Sequence, residues 1–235
     1  MENACNGDNE NDCTSEYYQF HVRDCALVSI ATGHRAQNLR EFAHELGEVN
    51  PGSIYHHFWG RLMFPTFAEP EYNNDFASWA SHALHEKALA ERLSMIDPAE
   101  HDDIESLRRE VIEIVESRLD ESEMVPWART DQQFHFLRSQ IVVLDTGRVI
   151  ENPPDLSYVV PELTRGSVFY HFIDARRRTD THSDDFSAWL EGFEGRYSDL
   201  CRKLEALDPY FSPLEEIQVM LCELFGDYFG NGGYK

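Results

Sequence analysis

Two stretches of this chain read as copies of each other. Phe20-His21 through Thr32-Gly33 is matched by Phe134-His135 through Thr146-Gly147, at an offset of 114 residues. At the same offset, Gly52-Ser53-Ile54-Tyr55-His56-His57-Phe58 is matched by Gly166-Ser167-Val168-Phe169-Tyr170-His171-Phe172. Asp75-Phe76 and Trp79 return as Asp185-Phe186 and Trp189, and Asp97-Pro98 as Asp208-Pro209. Four landmarks kept in order predict a duplicated unit of about a hundred residues. The fold expected is mainly α, with two tandem homologous helical repeats related by pseudo-two-fold symmetry and room for a short strand in each. The divisions expected are a disordered acidic tail at 1–19, a first repeat at 20–119, a connector at 120–133, a second repeat at 134–229 and a flexible tail at 230–235.

Local signals favour helices. Asn38-Leu39-Arg40-Glu41 has the form of a capping box, and Leu39, Phe42, Ala43 and Leu46 supply the apolar face that follows. Asn74 and Asp184 precede acidic first-turn residues, Asp75 and Asp185, where the helix dipole favours negative charge. Ser53 and Ser167 read as caps of the helices that hold the Tyr-His segments. Leu107, Val111, Ile114, Val115 and Leu119 make a long stripe, and Leu214, Ile217, Leu221 and Leu224 another. The stretches 20–33 and 134–147 are ambiguous. Phe134, Leu137, Ile141 and Leu144 suit a helix face, whereas Ile141-Val142-Val143-Leu144 is a β-branched run of strand length. Gly33 and Gly147, placed where a left-handed C-cap ends a helix, tip the reading toward helix.

Charge narrows the function. Forty-three acidic against twenty basic residues give a formal charge of −23, a field that repels phosphate backbones and anionic lipid. Nucleic-acid and membrane-surface roles are therefore disfavoured. Five cysteines without a Cys-x-x-Cys pair argue against a disulfide framework or zinc site and point to the cytoplasm. No run of the sequence approaches the length of a membrane span.

Ser53-Ile54-Tyr55-His56-His57-Phe58, Asn73-Asn74-Asp75-Phe76-Ala77-Ser78-Trp79, Leu89-Ala90-Glu91-Arg92-Leu93 and Ile96-Asp97-Pro98 together resemble an uncharacterised prokaryotic domain-of-unknown-function family. The resemblance covers nearly all of the chain beyond residue 19 and implies a fold without naming a reaction. A second, local resemblance is to the helix-turn-helix of tetracycline-repressor-family regulators, carried by Phe42-Ala43, Gly47 and Pro51-Gly52-Ser53-Ile54-Tyr55-His56-His57-Phe58. It implies a transcriptional regulator. The turn Gly47 to Pro51 is one residue longer than that pattern, and only Arg35, Arg40, His44 and Arg61 are at hand for phosphates.

His57 with Asp75, and His171 with Asp185, form matched histidine–aspartate pairs. Such a pair serves general acid–base chemistry or a metal's outer shell, and equally serves as a satisfied polar contact locking two helices. Occurrence in both copies favours the structural role. Trp79 and Trp189 read as core. Glu41-x-x-His44 and His82 with His85 have ligand-like spacings but lack partner motifs. Arg176-Arg177-Arg178 is the one basic run, and His171, Asp174, Arg176 and Arg178 form the candidate ligand site, since guanidinium suits phosphate and carboxylate. The competing reading is an internal ion network. Phosphate loops, nucleophile elbows and His-Glu-x-x-His are absent from the sequence. The reading is a cytoplasmic, non-catalytic binding or regulatory module for a small anionic molecule or a protein partner, with no cofactor and no metal. The alternatives are a metal- or histidine-dependent enzyme and, third, the regulator.

Overall fold

The computed structural model describes residues 19–63, 71–121, 130–179 and 181–230. The expected tails at 1–19 and 230–235 and the connector at 120–133 fall mostly outside these residues. Strand β1, Phe20–Ala36, and strand β2, Phe134–Ile150, are each 17 residues long and pair antiparallel as a two-stranded sheet. Thr32 Oγ1 donates to Phe136 O at 2.6 Å, and Arg23 pairs with Asp145 at 2.5 Å, contacts that fix the antiparallel register.

These strands overturn the expectation of a mainly helical fold of two tandem repeats: the architecture is mixed α/β and rich in helix. The helical reading of 20–33 and 134–147 rested on Gly33 and Gly147. Both do take the left-handed conformation, at φ 85° and 69°, but they do so inside strands. A left-handed glycine is as natural in a β-bulge as at a helix end. The left-handed glycines therefore do not require a helix end, and the β-branched run decides.

The chain divides into two compact units, a central one, Ala26–Val142, and a terminal one, Met1–Cys25 with Val143–Lys235. Their bounds differ from 20–119 and 134–229. Each strand begins in one unit and ends in the other.

In the central unit, helix α1 is Leu39–Glu48, α2 Pro51–Trp59, α3 Asp75–His82, α4 Lys87–Ser94 and α5 Ile104–Asp120. Asn38 caps α1, and Glu41 reaches back to the Gln37 N–H at 2.8 Å, satisfying donors that the first turn leaves open. Asn74 caps α3 and Asp103 caps α5. The cap of α2 is Asn50, upstream of Ser53. Leu39, Phe42 and Leu46 of α1 and Val111 and Val115 of α5 are buried at helical spacing. Phe42 stands at the centre of the core, its ring against Phe76, Trp79, Phe134 and Phe136.

In the terminal unit, α6 is Leu156–Val159, α7 Arg165–Val168, α8 Ala175–Arg178, α9 Asp185–Glu191, α10 Ser198–Glu205 and α11 Leu214–Gly230. A π-helical segment, Phe169–Asp174, joins α7 to α8 in one continuous run. Thr164, three residues before Ser167, caps α7, and Asp184 caps α9. Phe20, from the start of β1, packs on His171, Phe186 and Trp189. Phe186 in turn meets Phe225 of α11.

Candidate functional site

Helix α2 buries every residue from Ser53 to Trp59. In the regulator reading this helix would have to enter a DNA groove, and beyond Pro51 and Gly52 it has no exposed face with which to do so.

Its burial places His57 in the central core, 3 % exposed. His57 Nδ1 lies 3.0 Å from Asp75 Oδ2, and Nε2 accepts a 3.2 Å hydrogen bond from the backbone N–H of Leu137 on β2. A neutral imidazole carries one proton, so a ring that accepts at Nε2 must donate at Nδ1, and the aspartate receives that proton. The terminal unit holds the same arrangement. His171 Nδ1 lies 2.8 Å from Asp185 Oδ2, and Nε2 accepts a 2.8 Å bond from the N–H of Arg23 on β1. Both ring nitrogens of both histidines are thus spent on protein groups. The strand donors could not be read from the sequence, because a backbone N–H has no side-chain signature.

His56, His57 and Asp75 offer three potential metal-ligand atoms within 4.8 Å of one another. Burial, then the neighbouring His57, push the His56 pKa down to about 4, and its Nδ1 lies 2.7 Å from Ser139 Oγ. His57 is the obstacle to a metal. Using Nδ1 as a ligand would move the proton to Nε2, donor against the Leu137 N–H. Arg61, 3.6 Å from Asp75, already supplies positive charge there. The geometry therefore fits a hydrogen-bonded triad better than a metal centre.

The arginine triplet is divided. Asp174, buried at 2 % exposure within the π segment, accepts from Arg177 Nη2 at 2.9 Å and Arg178 Nε at 2.8 Å. Arg178 also donates to Asp185 Oδ2 at 3.0 Å and lies 4.0 Å above the Tyr170 ring. Arg177, Asp174, Arg178, Asp185 and His171 form one internal network, the geometry of the competing ion-network reading. Arg176 is turned elsewhere, with Nη2 donating to Leu204 O at 3.2 Å and Leu207 O at 3.4 Å. Residues two apart on a helix diverge by about 200°, so Arg176 and Arg178 cannot share one face. Of the four candidate ligand residues, the structure brings together His171, Asp174 and Arg178 and sets Arg176 apart.

The remaining sequence candidates have local roles. Glu41 is spent on the start of α1, His82 Nδ1 bonds Ser78 O at 2.8 Å, and Trp79 donates to Gln132 O at 2.8 Å. Burial raises the Cys25 thiol to about 12 and the Cys201 thiol to about 11, so neither is a thiolate nucleophile at neutral pH.

Sequence reasoning missed the exposed surface of the strands. Among the described residues, large apolar side chains stand open at Val28, Val142, Val143, Leu144 and Val149. The signal was present in the Ile141–Leu144 run, which a helix reading assigns to the core. No helix among the described residues is long and apolar enough to cross a membrane.

The model of the family of unknown function DUF5752 matches residues 17–226. A solved structure, "The structure of OrfY from Thermoproteus tenax", superposes with a TM-score of 0.77 at 27 % identity, covering 88 % of this chain and 94 % of that one. No curated protein matches the chain.

Proposed function

The chain belongs to DUF5752, a family of unknown function, and from its own geometry we propose that it is a non-catalytic protein-binding module that associates through strand β2. The observation that carries this reading is the consecutive exposure of Val142, Val143 and Leu144, at 41 %, 46 % and 51 %. Neighbouring residues of a strand point to opposite faces, so apolar side chains are open on both. The sheet has two strands among the described residues, so beyond the Leu137 N–H that His57 takes, the outer edge of β2 has no third strand to receive its backbone groups. Apolar, unpaired strand edges are a ready template for another chain.

The occupant proposed is a second copy. β1 and β2 carry Arg23, Arg35, Arg138 and Arg148 against Asp24 and Asp145, a positive balance within a chain of charge −23. Elsewhere the acidic surface opposes self-association, whereas the strands do not. A symmetric contact of β2 with itself closes after two copies. Full engagement of both histidines and the raised thiol pKa values support a non-catalytic role.

Hydrogen exchange tests the surface. Amides of residues 142–144 are expected to be protected at high protein concentration and to exchange faster on dilution or in Leu144→Glu. Exchange independent of both dilution and substitution would remove β2 as the interface.

A further inference from the structure

Apart from the histidine triads and from β2, the terminal unit contains a cleft of about 370 Å³. Its walls are the polar faces of amphipathic helices. Ser187 and Glu191 lie one turn apart on α9, and Ser198, Cys201 and Glu205 fall on one stripe of α10. The adjoining faces of the same helices bury Phe186, Leu190, Leu200 and Leu204. Arg176 of α8 completes the lining. These polar stripes therefore bound a concave space of small-molecule size.

The loops around it are held in uncommon conformations. His182 and Glu194 both have φ 52°, and Gly195 follows at 75°. Left-handed non-glycine residues are strained and concentrate where function overrides local preference. The His182 loop is fixed in place by its Nδ1, 3.1 Å from Arg176 O, and by Thr179 Oγ1 donating to Ser183 O at 2.8 Å.

Charge selects the ligand. Among the described residues Arg176, Glu191 and Glu205 form no ion pair, although the charge of Arg176 acts on Asp184, while Arg202 is paired with Asp199. Asp184, also in the lining, is fixed by Ser187 N at 2.9 Å and Ser187 Oγ at 2.8 Å. Burial pushes its carboxyl up, while the hydrogen bonds from Ser187 and the charge of Arg176 pull it down. A simple anion meeting Arg176 would face the carboxylates of Glu191, Glu205 and Asp184, and a simple cation meeting the glutamates would face a guanidinium. A molecule carrying both charges satisfies all three groups.

We propose that this cleft binds a small zwitterion of the α-amino-acid class, its carboxylate on Arg176 and its ammonium group on Glu191 and Glu205. Calorimetric titration of the full chain with each of the proteinogenic L-amino acids tests this, with inorganic phosphate and putrescine as probes that carry charge of one sign only. At least one amino acid should bind, and both one-sign probes should bind about tenfold more weakly or not at all. Arg176→Ala and Glu205→Gln should each weaken that amino acid by about tenfold. Because Arg176 also holds the Leu204 and Leu207 carbonyls, Glu205→Gln at the exposed rim is the variant that keeps the test valid if Arg176→Ala fails to fold. No binding by any amino acid would overturn the proposal. So would phosphate binding as tightly as the best amino acid, or amino-acid affinity unchanged by Glu205→Gln.

Discussion

His171 Nε2 accepts a 2.8 Å hydrogen bond from the backbone N–H of Arg23, a residue 148 positions earlier in the chain. With Nδ1 spent on Asp185, this imidazole ties the start of β1 to the helical run 165–178 in the terminal unit. His57 does the same for β2 in the central unit, between Asp75 and Leu137. Asp185→Ala and Asp75→Ala each leave a buried Nδ1–H unpaired and should each cost about 1–3 kcal/mol. Chemical denaturation is the measurement. Midpoints equal to wild type in both variants would show that these bonds do not hold the strands.

The two glycines that open the Tyr-His helices should differ in tolerance. A Cβ at Gly166 would collide with Asp24 Oδ1 and the Cys25 carbonyl oxygen, and a backbone oxygen cannot swing away. At Gly52 the nearest atoms are Asn50 Oδ1 at 3.1 Å and Ser139 O at 3.4 Å. Gly166→Ala is expected to destabilise by about 1–3 kcal/mol or more through overpacking, and Gly52→Ala by clearly less. Equal melting temperatures for the two variants would contradict the close seating of the 165–178 run on β1.

Stability should fall in mild acid because of His56. Its folded pKa, about 4, lies below the ordinary histidine value of 6.5. Between those values the unfolded chain binds a proton that the folded chain refuses. The contribution is therefore complete above pH 6.5 and is lost as pH falls toward 4, by roughly 3 kcal/mol. Asp184, whose buried carboxyl is pushed up from 3.8, runs in the opposite sense as pH falls, so the comparison must be with a variant. His56→Phe should flatten the pH 4–6.5 slope in denaturant titrations, and an unchanged slope would assign the acid sensitivity elsewhere.

What the sequence disclosed was what is local. Asn38, Asn74 and Asp184 announce helix starts because a cap is decided within four residues. The strands were hidden because pairing such as Thr32 with Phe136 joins distant segments, and Gly33 alone suits a bulge or a cap equally well. The His57–Asp75 and His171–Asp185 partners could be proposed from their repetition. Their strand donors could not, since Leu137 and Arg23 contribute only backbone. Nothing in Phe169–Asp174 marks a π segment, so the burial of Asp174 and its capture of Arg177 and Arg178 were equally concealed. The separation of Arg176 from Arg178 was legible in helix geometry.

In the function proposed, β2 is the surface through which two copies meet. Sedimentation equilibrium of the wild-type chain and of Leu144→Glu measures this directly, since Leu144 is half exposed and a glutamate there leaves the fold's core untouched. The prediction is a monomer–dimer equilibrium for wild type that shifts to monomer in Leu144→Glu, with both proteins equally helical by circular dichroism. A wild-type chain that stays monomeric across the concentration series, or a dimer unaffected by Leu144→Glu, would contradict it.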